Sequence, residues 1–168
     1  FVEIKTDQQS NIEINGYPSD VVPINWTTFG MGLSGDKPVK MRSYLECCHD
    51  NIWKPLVDAV QEHKITRLVR GQRNDEAYKA TSRHGSVVFG VTYLHPIENW
   101  SSKQVLDFIF AQRGSLPEHY KIEHSSLDCY DCTGFWKHSA DRVAYMKEKY
   151  PEFYEKYKTN MDRVKFAL

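Results

Sequence analysis

The sequence lacks the features that would suit a membrane protein or a polyanion-binding protein. No apolar run reaches the ~18 residues of a membrane-spanning helix, and no segment resembles a secretory signal. The 22 basic residues are cancelled by 22 acidic residues, which excludes a strong overall field for nucleic acid or acidic lipid. We therefore expect a soluble, cytoplasmic protein with no membrane contact.

Length and composition limit the number of domains. A chain of 168 residues that is 40% hydrophobic can bury one sizeable core but is short for two ordinary domains. We predict one domain, with an α/β part at residues 1–136 and a helical C-terminal extension at residues 137–168.

Strand-like runs alternate with loop signals along the first two thirds of the chain. The predicted strands are Val2–Thr6, Ile65–Val69 and Val87–Leu94, of which the second is apolar enough to be buried. Gly30, Gly32 and Gly35 indicate a loop between the first two strands.

Helical patterns occupy the intervals between the strands and the C-terminal fifth of the chain. Helices are predicted around Cys47, after a cap at Ser101 or Ser102 with a stop at Gly114, and at 138–150 and 152–164 with a break at Pro151. Strands that alternate with helices favour an α/β fold with a largely parallel sheet. Such sheets bind ligands beyond the carboxyl ends of their strands, which makes the loop after Ile65–Val69 the best placed for a ligand.

The four cysteines form two local pairs, Cys47-Cys48 and Cys129-x-x-Cys132, with 80 residues between them. A CxxC turn presents two thiolates to one centre, and four thiolates satisfy either zinc or a [4Fe–4S] cluster. Zinc sites of this kind generally use two CxxC turns, whereas adjacent cysteines diverge and suit separate corners of a cluster. We favour the cluster over zinc, and both over redox disulfides or unliganded thiols.

The same residues carry a resemblance to the phosphoadenylyl-sulfate and adenylyl-sulfate reductase family. A double cysteine followed about eighty residues later by CxxC resembles the cluster-binding pattern of the adenylyl-sulfate reductases, and further segments match in the same order. These segments are Lys54-Pro55-Leu56, Arg70-Gly71-Gln72-Arg73-Asn74-Asp75-Glu76, Pro96-Ile97-Glu98-Asn99-Trp100-Ser101 and Ser126-Leu127-Asp128-Cys129-Tyr130-Asp131-Cys132-Thr133.

The resemblance implies a Rossmann-like fold of the adenine nucleotide alpha-hydrolase type, a mainly parallel sheet flanked by helices, and a cluster held by Cys47, Cys48, Cys129 and Cys132. It also implies an adenine sulfonucleotide or related anionic nucleotide as ligand. Arg70 and Arg73 flank Gly71 at a predicted strand end, and guanidinium groups bind phosphate or sulfate through paired hydrogen bonds. We therefore predict Arg70, Gly71 and Arg73 as substrate-binding residues, with a salt bridge from Arg73 to Asp75 or Glu76 as the alternative. Arg83 and His84 are expected to lie in a solvated loop, with an extension of the anionic pocket as the alternative.

Two elements of that family's pattern are missing from these residues. The family's nucleophile is a C-terminal cysteine, and no cysteine follows Cys132, so we assign no catalytic residue. The Ser-Gly-Gly-x-Asp-Ser-like phosphate loop is also missing, and Gly32 to Lys37 is expected to be a surface turn instead. We expect that the loop lies upstream, that a partner chain supplies it, or that nucleotide binding is altered.

Three functions follow from this pattern. The first is a cluster-binding protein that acts on a sulfated or adenylylated nucleotide, with any thiol donor supplied by a partner. The second is sulfur transfer to nucleic acid, because residues 137–168 contain eight basic and five acidic residues. The third is a non-catalytic subunit that retains the cluster as a structural staple.

Overall fold

The computed structural model describes residues 2–76, 82–122 and 129–168. The chain divides into two compact units, the first made of Phe1–Val57 and Glu118–Leu168 and the second of Asp58–Pro117. In the parts described, no helix is long and apolar enough to cross a bilayer.

The first unit combines a small parallel sheet with helices from both ends of the chain. Its strands β1 (Tyr17–Ser19) and β2 (Met41–Ser43) pair in parallel, with Tyr17 opposite Met41. Its helices are α1 (Gln8–Asn15), α2 (Thr28–Ser34), α3 (Tyr44–Cys48), the start of α4 (Lys54–Glu62), α6 (Ala140–Lys149) and α7 (Pro151–Ala167), with one π turn at His49–Trp53 and 3-10 turns at Ile24–Trp26, Glu118–Lys121 and Trp136–His138.

The core of this unit joins residues that are far apart in sequence. Met41 on β2 and Val164 on α7 are 1% and 0% exposed, and the buried cysteine Cys47 belongs to the same cluster. Burying each large apolar side chain contributes about 1.5–3 kcal/mol. The C-terminal helix α7 is therefore an integral part of the unit that contains β1 and β2.

The prediction of a loop at Gly30 and Gly32 was wrong, because both glycines lie in helix α2. Thr27 caps this helix by accepting a hydrogen bond from the backbone N–H of Gly30 at 3.0 Å. A side chain at Gly30 would lie 1.7 Å from the carbonyl oxygen of Ile24. Glycine is required there because the helix passes directly against the preceding 3-10 turn.

Gly30→Ala is expected to lower the free energy of unfolding by about 1–3 kcal/mol, since the clash is with backbone that has little room to move. Gly32→Ala is the matched control, because nothing lies within 4 Å of the added carbon and alanine favours a helix by up to about 1 kcal/mol. Urea denaturation of both variants measures the difference. Equal stability of the two would contradict the packing described for α2.

The second unit contains a three-stranded mixed sheet in the order β3–β5–β4. Strands β3 (Arg67–Val69) and β5 (Val91–Leu94) are parallel, and β4 (Val87–Val88) is antiparallel to β5. A two-residue turn joins β4 to β5, with positive φ angles at Phe89 (50°) and Gly90 (79°), as the right-handed twist of a hairpin requires. Helix α5 (Ser102–Arg113) follows β5.

The α/β class and the helical C-terminal extension are confirmed. Ser101 caps α5 with a capping box and the left-handed Gly114 ends it, while Pro151 begins α7 as predicted. Three strand predictions were wrong in detail. Val2–Thr6 forms no strand, Val87–Leu94 is a hairpin instead of one strand, and Val69 is 64% exposed instead of buried.

Candidate functional site

The tandem cysteines lie at the end of α3, where the sequence predicts a helix. Ser43 begins this helix: its hydroxyl accepts from the N–H of Leu45 at 3.2 Å, and Glu46 accepts from the N–H of Ser43 at 2.9 Å. Cys47 is buried and Cys48 is half-buried. Consecutive helical residues point roughly 100° apart, so the two thiols face different sides of α3.

A π turn follows the tandem cysteines and brings an amide against them. The side-chain amide of Asn51 donates to the carbonyl oxygen of Cys47 at 2.9 Å, and its nitrogen lies 3.6 Å from the Cys47 sulfur. Short π turns inside helices are frequent at functional sites. Cys47 thus has an N–H donor directed at its sulfur.

The second pair forms a tight turn, in which the N–H of Cys132 donates to the carbonyl oxygen of Cys129 at 3.1 Å. Cys132 is 6% exposed, and the backbone N–H of Gly134 donates to its thiol. The part of the matching motif at residues 126–128 lies outside the described residues.

Contacts with β1 and α3 hold this turn in place. The hydroxyl of Thr133 donates to the carbonyl oxygen of Pro18 at 2.5 Å, and the carboxylate of Asp20 accepts from the N–H groups of Phe135 and Trp136. Gly134 passes so close to Tyr44 that an added Cβ would lie 2.7 Å from the Tyr44 Cβ. These contacts bring both cysteine pairs into the first unit.

The surroundings of Cys132 raise the pKa of its thiol. The pKa of Cys132 is raised to about 12, chiefly because the thiol is buried and to a smaller extent because of the thiols of Cys129 and Cys48. The N–H of Gly134 and the positive charge of Arg142 act in the opposite direction on the same pKa.

The donor set fits a thiolate-bound metal centre in type, with four cysteine sulfurs, N–H donors to two of them and cations nearby. Among the residues described, no three His, Cys, Asp or Glu side chains converge on one point as metal ligands do. Metal binding therefore requires the cysteine side chains to rotate toward a common centre.

Alkylation should distinguish the four thiols in the metal-free protein. Cys47 and Cys132 are 4% and 6% exposed, whereas Cys48 and Cys129 are half-buried, and burial favours the unreactive neutral thiol. We expect Cys48 and Cys129 to react with iodoacetamide at least several-fold faster at pH 8, as measured by peptide mass spectrometry. Fastest labelling at Cys132 would contradict this description of the site.

Two basic side chains from the C-terminal helices contact the CxxC turn, and sequence reasoning missed both roles. Arg142 donates to the carbonyl oxygens of Cys129 and Cys132. Lys156 lies 3.2 Å from the buried carboxylate of Asp131 and 5.5 Å from the ring centre of Tyr130. The sequence signal was only a basic, helical segment, which equally fits a solvated surface.

Several other basic residues of these helices have local partners. Lys149 pairs with Glu118 and Glu148, and Lys147 lies 5.7 Å from the ring centre of Tyr154. Lys158 and Lys165 pair with acidic neighbours on α7. The polynucleotide partner suggested by the basic composition of residues 137–168 stays a prediction.

Arg70, Gly71 and Arg73 lie in the second unit, directly after β3. The N–H of Arg70 continues the sheet by donating to the carbonyl oxygen of Leu94 at 2.9 Å. Arg73 forms the salt bridges weighed as its alternative role, at 2.8 Å to Asp75 and 3.4 Å to Glu76.

The partner carboxylate Asp75 also accepts from the N–H of Ser102 at the start of α5, at 2.7 Å. This hydrogen bond and the contact with Arg73 hold the pKa of Asp75 below its usual value. A phosphate or sulfate at Arg73 would have to compete with this carboxylate.

A cavity of about 80 Å³ lies beside Arg73, and Arg83 and His95 also line it. His95 follows β5 and is 2% exposed, with Nε2 3.3 Å from the hydroxyl of Ser82. Its Nδ1 has no hydrogen-bond partner among the residues described. The cavity lies after the parallel strands β3 and β5, where the α/β pattern predicts a ligand.

The fold and the thiols define an α/β protein with a four-cysteine candidate metal centre in one unit and an arginine-containing loop after a parallel strand in the other. A model of the phosphoadenosine phosphosulfate reductase domain family matches residues 31–135, a range that contains all four cysteines and the loop from Arg70 to Arg73. The chain belongs to this family, whose members bind a sulfonucleotide and act in sulfur and nucleotide metabolism. Neither the curated proteins nor the solved structures gave a match.

Proposed function

We propose that this protein binds a [4Fe–4S] cluster through Cys47, Cys48, Cys129 and Cys132 and acts on a sulfated or adenylylated nucleotide in sulfur metabolism. The observation that carries the proposal is the meeting of both cysteine pairs in one unit, where Gly134 beside the CxxC turn packs against Tyr44 at the start of α3. A cytoplasmic location is part of the proposal, because a reducing compartment keeps the thiols available.

The chemistry of the site favours a cluster over zinc, which is the second candidate. Four thiolates would supply the ligands, and the cluster would add a redox-active centre with net negative charge. The tandem cysteines face different sides of α3, a divergence that suits separate corners of a cluster. The N–H groups of Asn51 and Gly134 donate toward two of the sulfurs, as expected around sulfur that carries negative charge.

Nucleotide binding is proposed for the loop after β3, with Arg70, Gly71 and Arg73 as the contacts. Members of the family bind a sulfonucleotide. Arg73 shares its cavity with Arg83 and with the Nδ1 of His95, which has no hydrogen-bond partner among the described residues. These groups would bind and orient an anionic part of the ligand. No catalytic residue is assigned, since all four cysteines are placed in the centre.

Arg73→Ala is expected to weaken the binding of adenylyl sulfate by about 1.5–3 kcal/mol, the value of a hydrogen bond to a charged group. Isothermal titration calorimetry of the full chain measures this loss. Arg113→Ala, a change at an exposed arginine near the end of α5, should leave binding unchanged.

Asp75→Asn separates a ligand role of Arg73 from a purely structural one. If Arg73 binds the nucleotide, loss of the competing carboxylate should preserve or strengthen binding. If Arg73 serves only the salt bridge, both variants should lower the melting temperature and leave nucleotide affinity unchanged, which would remove Arg73 from the proposed site.

A further inference from the structure

Arg142 is a buried cation beside the cysteine centre. It lies in the first turn of α6, is 5% exposed, and donates through Nη1 to the carbonyl oxygen of Cys129 and through Nη2 to that of Cys132 at 3.1 Å. The planar guanidinium has two parallel donors that match this pair of acceptors. One side chain thus spans both ends of the CxxC turn.

The described surroundings of Arg142 provide packing but no salt bridge to a carboxylate. Its guanidinium carbon lies 5.6 Å from the ring centre of Tyr157 on α7, and Tyr157 is itself 9% exposed. Within the described ranges, no Asp or Glu forms a salt bridge with Arg142, whereas the nearby Lys156 pairs with Asp131. Burying an unpaired charge is costly, so buried cations usually face an anion.

Arg142 hydrogen-bonds to the backbone of two cysteines, and the side chains of these cysteines can supply negative charge as thiolates. Thiolates that hold a metal centre would place negative charge permanently beside the guanidinium. The buried cation then has the partner that the described carboxylates do not provide.

We propose that Arg142 is the positioning residue of the cysteine centre, where its two hydrogen bonds hold the Cys129–Cys132 turn in shape and its charge balances that of the metal-bound thiolates. This inference rests on the proposed function. It adds a residue that lies outside the family match at 31–135 and makes α6 part of the site.

Two variants separate the two roles of the side chain. Arg142→Lys keeps the positive charge but cannot donate to both carbonyl oxygens in the same fork. Arg142→Gln keeps a hydrogen-bond donor and removes the charge. Arg163→Gln is the matched control, because Arg163 lies on α7 and packs 5.7 Å from the ring centre of Tyr17, but contacts β1 instead of the CxxC turn.

The experiment uses the full chain, with cobalt(II) as a probe of thiolate binding and with an anaerobically reconstituted cluster for electrochemistry. Both Arg142 variants should bind cobalt about 10–100-fold more weakly than wild type, the usual effect of losing a residue that orients metal ligands. The reduction potential of the loaded protein should become more negative in Arg142→Gln, because a nearby positive charge favours the reduced cluster. Arg142→Lys should stay closer to the wild-type potential, and Arg163→Gln should match wild type in both measurements.

The outcomes distinguish this inference from the proposed function. If wild type binds cobalt and iron and both Arg142 variants match it in affinity and potential, the role of Arg142 is overturned and the proposed function stands. If wild type binds neither metal through its cysteines, the role of Arg142 and the proposed function are both overturned. Melting of the metal-free proteins identifies a folding defect, and Arg142→Lys, which keeps the buried charge, provides the decisive comparison if Arg142→Gln does not fold.

Discussion

Cys129→Ser is expected to abolish cluster binding and to lower the free energy of unfolding of the reconstituted protein by about 4 kcal/mol. A covalent cross-link that closes a loop of similar length has about this effect. The centre would join α3 to a turn some eighty residues later in the sequence, and tying two distant segments together restricts the unfolded chain. A serine hydroxyl is a poor replacement for a thiolate ligand. Differential scanning calorimetry of loaded wild type and variant measures the change in melting temperature.

The metal-free forms provide the control for this experiment. Without iron, wild type and Cys129→Ser should melt at nearly the same temperature, because the hydrogen bonds that hold the turn come from its backbone and from Thr133. A variant that lacks metal yet melts like loaded wild type would show that the centre does not stabilise the fold.

This chain alone is expected to release no sulfite from adenylyl sulfate or phosphoadenylyl sulfate when thioredoxin or glutathione is the reductant. Sulfite release needs a thiolate to take up the sulfur, and the proposed centre uses all four cysteines of the sequence. Serine, histidine and tyrosine cannot form the sulfur–sulfur bond that a thiol then reduces. A sulfite assay on the cluster-loaded protein tests the expectation.

The sulfite assay needs simultaneous measurement of the cluster absorbance. Sulfite that forms while the cluster absorbance falls would be attributed to a cysteine that the lost cluster has released. Sustained sulfite production with the cluster intact would contradict the assignment and would identify one of the four cysteines as a nucleophile.

The sequence predicted those helices whose ends are set by residues close by in the sequence. Helix α5 was predictable because Ser101 and Gly114 form its caps, and α7 because proline favours the first turn of a helix. Val2–Thr6 alternates like a strand, but a strand also needs a pairing partner, which alternation cannot reveal. Helix α2 was missed because its glycines serve close packing against the Ile24 carbonyl instead of a loop.

The candidate site was predictable only where its residues are close in sequence. The spacing of each cysteine pair indicated a centre, but the contacts that unite the pairs, such as Asp20 with Phe135 and Thr133 with Pro18, join residues about 115 positions apart. The salt bridge from Arg73 to Asp75 was foreseeable because the two residues are near neighbours. The contacts of Arg142 with the CxxC turn could not be foreseen, because an arginine in a charged helix normally points to water.

Iron and acid-labile sulfide analysis of anaerobically purified and reconstituted protein tests the central claim most directly. The account predicts about four irons and four sulfides per chain, with a broad absorbance band near ~400 nm that disappears on oxidation. One zinc ion per chain, without iron or sulfide after reconstitution, would contradict it.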